Sequence, residues 1–282
     1  MKRIASIQDI SCLGRCSLTV ALPVISALGV ECAIVPTAVL SAHTAFPGFV
    51  SRDLTDQLDA IAAHWQAQRV HFDALYTGYI ASVPQVQQVL DFFDAVKSPD
   101  TMIFVDPAMA DHGKLYSGFD EAYVEKMKGL CAQADFVLPN LTEAAFLLDE
   151  PYPGKHVTRE AVCGLCRGLR ALGPENVVIT DVAFGPGQTG VALLAPGMAE
   201  PAFLFRPRFD DVFYGTGDVF ASLLLGALMN GHPLEAAVGI ALDITHESIR
   251  VTLNGGEPLR YGVQFEKVLP QYWARLQEHA QQ

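Results

Sequence analysis

Three groups of residues carry the chemistry this sequence could do. The first lies in FYGTGDVFASLLLGALMNG, residues 213–231, where two glycines, a threonine and a carboxylate run directly into an apolar segment. Gly215 and Gly217 let the backbone approach a ligand closely, and the unpaired N–H groups of a first helical turn, Thr216 among them, point at any anion there. Asp218 falls inside that turn, where the positive end of the helix dipole favours its ionised form. An ionised carboxylate beside a phosphoryl group can take a proton from an attacking alcohol, while the N–H groups stabilise charge on the transferring group. The competing reading makes Thr216 an N-cap and Asp218 an ordinary first-turn acid. The helix tips the balance: VFASLLLGALM is apolar around nearly its whole circumference, so its start projects into the interior of a cleft.

The second group sits at the ends of strand-like runs. IFVDPAMAD ends in Asp106, with Asp111 five residues on; FVLPNLTE ends in Asn140, with Glu143 in the first turn of the next helix; VVIT ends in Thr180, with Asp181 behind it. Any one of these could merely cap a helix or turn. Four carboxylates at three strand ends are harder to dismiss, because ligands of open parallel sheets bind beyond the carboxyl ends of the strands. Carboxylates beside a triphosphate repel it unless a cation intervenes, and Mg²⁺ takes few carboxylates, several waters and phosphate oxygens. A metal-nucleotide site is the expectation, with Asp106, Asp111 and Glu143 acting partly through water.

The third group is a CxxC, Cys163 and Cys166, in REAVCGLCRGLRALG. Zinc or redox chemistry is one reading; the i, i+3 spacing of small apolar side chains on a helix face packed on a core is the favoured one. No GxxxxGK[ST] occurs, and the literal GxGxxG at 185–190, GPGQTG, opens a β-like run rather than a helix. It reads as a hairpin turn rather than a dinucleotide fingerprint.

The elements that must position these residues alternate. Strand-like RIASI, ECAIVPTAVL, DALYTGYI, TMIFVDPAM, DFVLPN and NVVITDV are separated by helix-like residues 18–28, 83–96, 120–132, 142–148 and 159–172. Near-continuous apolar strands between helices predict a parallel sheet covered on both faces, a three-layer α/β/α arrangement. After Asp181 the rhythm changes: GVALLAP and AFLFRPRF follow each other with only turn residues between, as an antiparallel edge would. Helices over 216–229, 234–253 and 265–280 close the chain. A single domain over 1–282 is expected, with a small flap around 35–50.

Composition bounds the partners. The 282 residues are half hydrophobic and 18% charged, without low-complexity tracts, as a compact globular chain requires. A net charge of -12 argues against a nucleic-acid surface, so any phosphate must be held locally. The N-terminus turns polar before a signal-peptide core could form, and the longest apolar run, 219–229, is shorter than a membrane span needs. The expected location is the cytoplasm, away from membranes.

Six short motifs occur in one order: SIQD at 6–9, SAHTAF at 41–46, TGYIAS at 77–82, DPAMAD at 106–111, PNLTEAAFL at 139–147, and FYGTGDVFASLLLG at 213–226. Together they resemble the pyridoxal (vitamin B6) kinase family of the ribokinase-like superfamily. The resemblance implies an ATP-dependent transfer of phosphate to the 5'-hydroxymethyl group of pyridoxal, pyridoxine or pyridoxamine. By it, Asp218 would be the general base and Gly215, Thr216 and Gly217 the anion hole. Asp106, Asp111, Asn140 and Glu143 would organise Mg²⁺ and ATP phosphates, with Asp106 and Glu143 as metal residues, and Thr180 and Asp181 would meet the nucleotide. Thr44 and Tyr79 would lie on the pyridine ring. K⁺ use and a homodimer are further implications. The chain departs from the family pattern at Asp9, where a serine touches the ring, at Ala42 and Ala45 in SAHTAF, at Ala110 in place of glycine, and at Asp181. Asp9 in particular leaves open another small alcohol, such as hydroxymethylpyrimidine, as the acceptor. A non-catalytic vitamer-binding protein is a further alternative.

Overall fold

A computed structural model of the protein describes residues 1–154 and 157–270. In chain order the elements are β1 (Arg3–Ser11), α1 (Leu18–Ala27), β2 (Glu31–Leu40), β3 (Ser51–Asp53), α2 (Thr55–Ala67), β4 (Ala74–Thr77), α3 (Val83–Val96), β5 (Met102–Val105), β6 (Ala110–Asp111), β7 (Lys114–Leu115) and α4 (Glu121–Cys131). They continue with β8 (Phe136–Val137), α5 (Leu141–Leu147), α6 (Arg159–Leu172), β9 (Asn176–Val182), β10 (Gln188–Leu194), β11 (Ala202–Pro207), α7 (Thr216–Met229) and α8 (Leu234–Asn254). The chain forms two compact units, Met1–Leu54 with the chain from Phe209 onward, and Thr55–Arg208.

In the first unit β1 and β2 are parallel, with Ile4 opposite Cys32 and Ile7 opposite Val35, and β3 returns antiparallel to β2. β1 is buried along nearly its whole length. Helix α7 packs on α1 and α8, and every residue from Val219 to Ala227 is buried. That confirms the all-round apolar reading of VFASLLLGALM. Each fully buried Leu of that run contributes about 1.5–3 kcal/mol. The expected flap over 35–50 begins too early: residues 35–40 are sheet residues of β2, and the irregular stretch is 41–50.

In the second unit β4, β5, β8 and β9 are parallel, while β10 and β11 add antiparallel strands beyond β9. This is the mainly parallel α/β sheet with an antiparallel edge that the alternation implied. GPGQTG falls in the β9–β10 turn, with Gly187 at φ 81, so the hairpin reading holds. Cys163 and Cys166 lie on the buried face of α6 with Val162, Leu165 and Leu169. α2 and the β6–β7 hairpin were not foreseen. Of the closing helix expected over 265–280, residues 271–280 lie outside the described residues, and Phe265–Lys267 form a 3₁₀ turn.

Candidate active site

Within the first unit the glycine-rich turn leads straight into α7. Gly215, not Thr216, is the N-cap of α7: it takes a left-handed φ of 73, and no side chain caps the end. A Cβ on Gly215 would stand 2.0 Å from the Arg15 carbonyl oxygen, so conformation and space both require glycine. At Gly217 a Cβ would meet nothing within 4 Å. Packing therefore does not explain that glycine. Asp218 follows, part-buried, and the Ser17 backbone N–H donates to its carboxylate. Burial pushes the Asp218 pKa up to about 6, the Ser17 N–H opposes this, and the nearby charge of Asp9 adds to it.

Asp9, on β1, is 3% exposed. The hydroxyls of Ser17 and Ser11 donate to it, Ser11 at 3.0 Å, while burial raises its pKa against them. Ser17 and Ser11 were missed in the sequence. A serine before an apolar helix reads as an N-cap, yet Ser17 makes no cap bond to α1, and its backbone stands at φ 54, ψ -130. Residues other than glycine hold such a conformation at about 1–3 kcal/mol. The Cys16 thiol, facing Asp218 and Asp9, is pushed far up by burial and by both carboxylates, which leaves it unreactive.

The loop carrying Ser17 is pinned from far along the chain. The Arg15 N–H donates to the Tyr261 carbonyl at 3.0 Å, and its guanidinium Nε donates to both Glu266 oxygens at 2.7 and 2.9 Å. His43 sits under Gly14, where a Cβ would come 2.2 Å from the ring, and its Nε2 donates to the Arg260 carbonyl at 2.6 Å. Ala42 is buried, and Thr44 is exposed in the 41–50 stretch.

Within the second unit Asn140 and Glu143 form a capping box on α5. Asn140 Oδ1 accepts from the N–H groups of Thr142 and Glu143 at 2.8 and 2.9 Å, and Glu143 Oε2 accepts from the Asn140 N–H at 2.8 Å. Glu143 Oε1 reaches further, accepting from Met109 at 3.0 Å and Ala110 at 3.4 Å, while Asn140 Nδ2 donates to the Ala110 carbonyl at 2.8 Å. The capping reading holds, and the same two side chains fix the DPAMAD loop that carries Asp106 and Asp111. Burial pushes the Glu143 pKa up to about 8, with three N–H donors opposing. Three of about four carboxylate acceptor sites are thus filled, which leaves one for a water.

Asp106 follows β5, its N–H donating to the Thr77 carbonyl at 3.1 Å. Asp111 is exposed at the β6–β7 hairpin, whose turn, His112 and Gly113, has φ 50 and 77, the signs a two-residue primed turn needs. Asn140 and Thr180 bridge in parallel, continuing the β8–β9 pairing outward. Asp181 stands at φ 56 where a register shift sets Thr180 and Asp181 against Val191, a bulge that re-aims both side chains. Tyr79 stacks on Phe119 at 5.6 Å, and Phe119 on Tyr123 at 3.8 Å. Among the described residues no three His, Cys, Asp or Glu side chains gather as a metal cage.

Comparisons with known proteins agree with this architecture. The family described as phosphomethylpyrimidine kinase matches residues 21–261. A Bacteroides thetaiotaomicron protein bearing that name, crystallised with pyridoxal, is 40% identical over 98% of this chain and 96% of its own, with a TM-score of 0.91. Pyridoxal kinase from Lactobacillus plantarum is 33% identical over 99% of each chain, with a TM-score of 0.90. Pyridoxine/pyridoxal/pyridoxamine kinase of Bordetella avium is 31% identical over 83% of this chain and 80% of its own. A ribokinase-like α/β fold and matches across nearly the whole chain converge, and the chain belongs to the pyridoxal kinase family.

Proposed function

We propose that this protein is an ATP-dependent kinase that phosphorylates the 5'-hydroxymethyl group of pyridoxal, pyridoxine or pyridoxamine, releasing ADP. The observation that carries it is Asp218 at the mouth of a buried helix, one residue beyond the open space at Gly217. The hydroxyl oxygen attacks the γ-phosphorus while Asp218 takes its proton, and the bond to the ADP oxygen breaks. The N–H groups of Gly215, Thr216 and Gly217 stabilise the equatorial oxygens of the transferring group. Asp9 and Thr44 hold the ring on the first unit, and the family resemblance assigns Tyr79 of the second unit a ring contact by its aromatic face. Asn140, Thr180 and Asp181 serve the nucleotide side.

Mg²⁺ fits beside Asp106, Asp111 and Glu143 through water, and would neutralise phosphate charge there. K⁺ as a second cation, a homodimer, a cytoplasmic location and action as a single kinase domain complete the proposal. Incubation with Mg-ATP and each vitamer, following ADP release, tests it, and no turnover of any vitamer would overturn it. One observation keeps a second acceptor, hydroxymethylpyrimidine, in view: Asp9 is a buried carboxyl that can accept a hydrogen bond from a ring N–H or amino group. The same panel decides between them.

A further inference from the structure

Ser17 is the residue of the first unit whose chemistry the site does not yet use. It is 6% exposed, occupies the N-cap position of α1 without capping it, and holds a positive-φ backbone. Both anomalies have one result: its N–H is delivered to Asp218 and its hydroxyl to Asp9. The conformation is held from both sides. Ser17 forms an isolated antiparallel bridge with Ile10 of β1, and its carbonyl accepts from Val20 and Ala21 at 2.9 Å. Two residues back, the Arg15 carbonyl occupies the space where Gly215 lacks a side chain. The loop at 12–17 and the anion-hole turn are thereby keyed together.

We propose that Ser17 is a positioning residue that holds the ring-binding carboxyl of Asp9 and the base Asp218 in one hydrogen-bonded chain, its hydroxyl on the first and its backbone N–H on the second. The groups facing the pair are few: Cys16 faces both carboxyls, and His43, from the loop after β2, faces Asp9. With the thiol protonated, the charge near Asp218 is that of Asp9. An ionised Asp9 disfavours a second negative charge and raises the Asp218 pKa; the Ser17 hydroxyl stabilises Asp9 as the anion. The device deepens the kinase reading and rests on it for its purpose.

Carboxyl titration by NMR of the full chain carrying ¹³C-labelled aspartate tests the linkage without turnover, with Asp218→Asn and Asp9→Asn assigning the two signals. Asp9→Asn should lower the Asp218 midpoint by at least about 0.5 pH unit. Ser17→Gly removes the hydroxyl but suits the positive φ, so it should unfold at no lower temperature than wild type while the Asp9 midpoint rises. In kinetics, Ser17→Gly should raise the KM for the vitamer severalfold and leave the KM for Mg-ATP unchanged, and Asp9→Asn should move the acid limb of kcat/KM to lower pH. An Asp218 midpoint unchanged in Asp9→Asn, or an Asp9 midpoint unchanged in Ser17→Gly, overturns the linkage. A wild type that phosphorylates no vitamer overturns the kinase reading instead, and the titration still decides the linkage.

Discussion

Asp218 is a carboxylate whose surroundings work against its charge, and that makes it a usable base. Asp218→Asn keeps the shape and removes the proton acceptor, so kcat should fall by about 10²–10⁴-fold. Calorimetry should find vitamer binding nearly unchanged. Because burial holds the pKa at about 6, kcat/KM should rise with pH through that value and level off above it. The stability consequence has the opposite sense. Between the ordinary value of 3.8 and about 6 the folded protein keeps a proton that the unfolded chain releases. Asp218's contribution to stability is fullest below that window and is lost through it as pH rises; denaturant titrations of Asp218→Asn should show a shallower decline, since Glu143, Asp9 and Asp181 are shifted the same way. The Asp218 candidate was legible in the sequence because carboxylate, glycines and helix lie in one contiguous run. Ser17 and Arg15 were not, since their meaning depends on Asp9, Asp218 and Glu266, the last 251 residues from Arg15.

Two helix starts carry the candidate chemistry, and each makes a separable prediction. At α7 the glycines differ. Gly215→Ala forces a Cβ into the Arg15 carbonyl at a left-handed φ and should destabilise the protein by at least about 1–3 kcal/mol in denaturant unfolding. Gly217→Ala meets no protein atom; it should shift stability by less than about 0.5 kcal/mol yet reduce turnover, by occupying the space left for phosphate. At α5, Glu143→Gln must turn an amide –NH₂ toward a backbone N–H of Asn140, or of Met109 and Ala110. Leaving a buried donor unmatched should lower unfolding free energy by about 1–3 kcal/mol. Helices with a wide apolar face or a clear cap were legible: α3, α6 and α7 have the boundaries expected from sequence. α2 was not, because only Leu58 and Ala62 of its thirteen residues are buried, too few to write a periodic pattern.

With a net charge of -12 the molecule does not attract polyphosphates by its overall field. Local donors and a cation must do so, and chelating divalent cations with EDTA should abolish turnover, with Mg²⁺ restoring it, in the same ADP-release assay. The alternation of strands and helices was legible along most of the chain, whereas the grouping into units was not, since Met1–Leu54 joins the chain from Phe209 onward. That discontinuity orders events during synthesis. β1 and α1 leave the ribosome early with Asp9 and Ser17 in place, but α7, which packs on α1 and carries Asp218, follows some two hundred residues later. At about 5–20 residues per second that is a delay of tens of seconds or less. A chain terminated before α7 therefore carries Asp9 and Ser17 but lacks Asp218, and on the proposed mechanism it should transfer no phosphate.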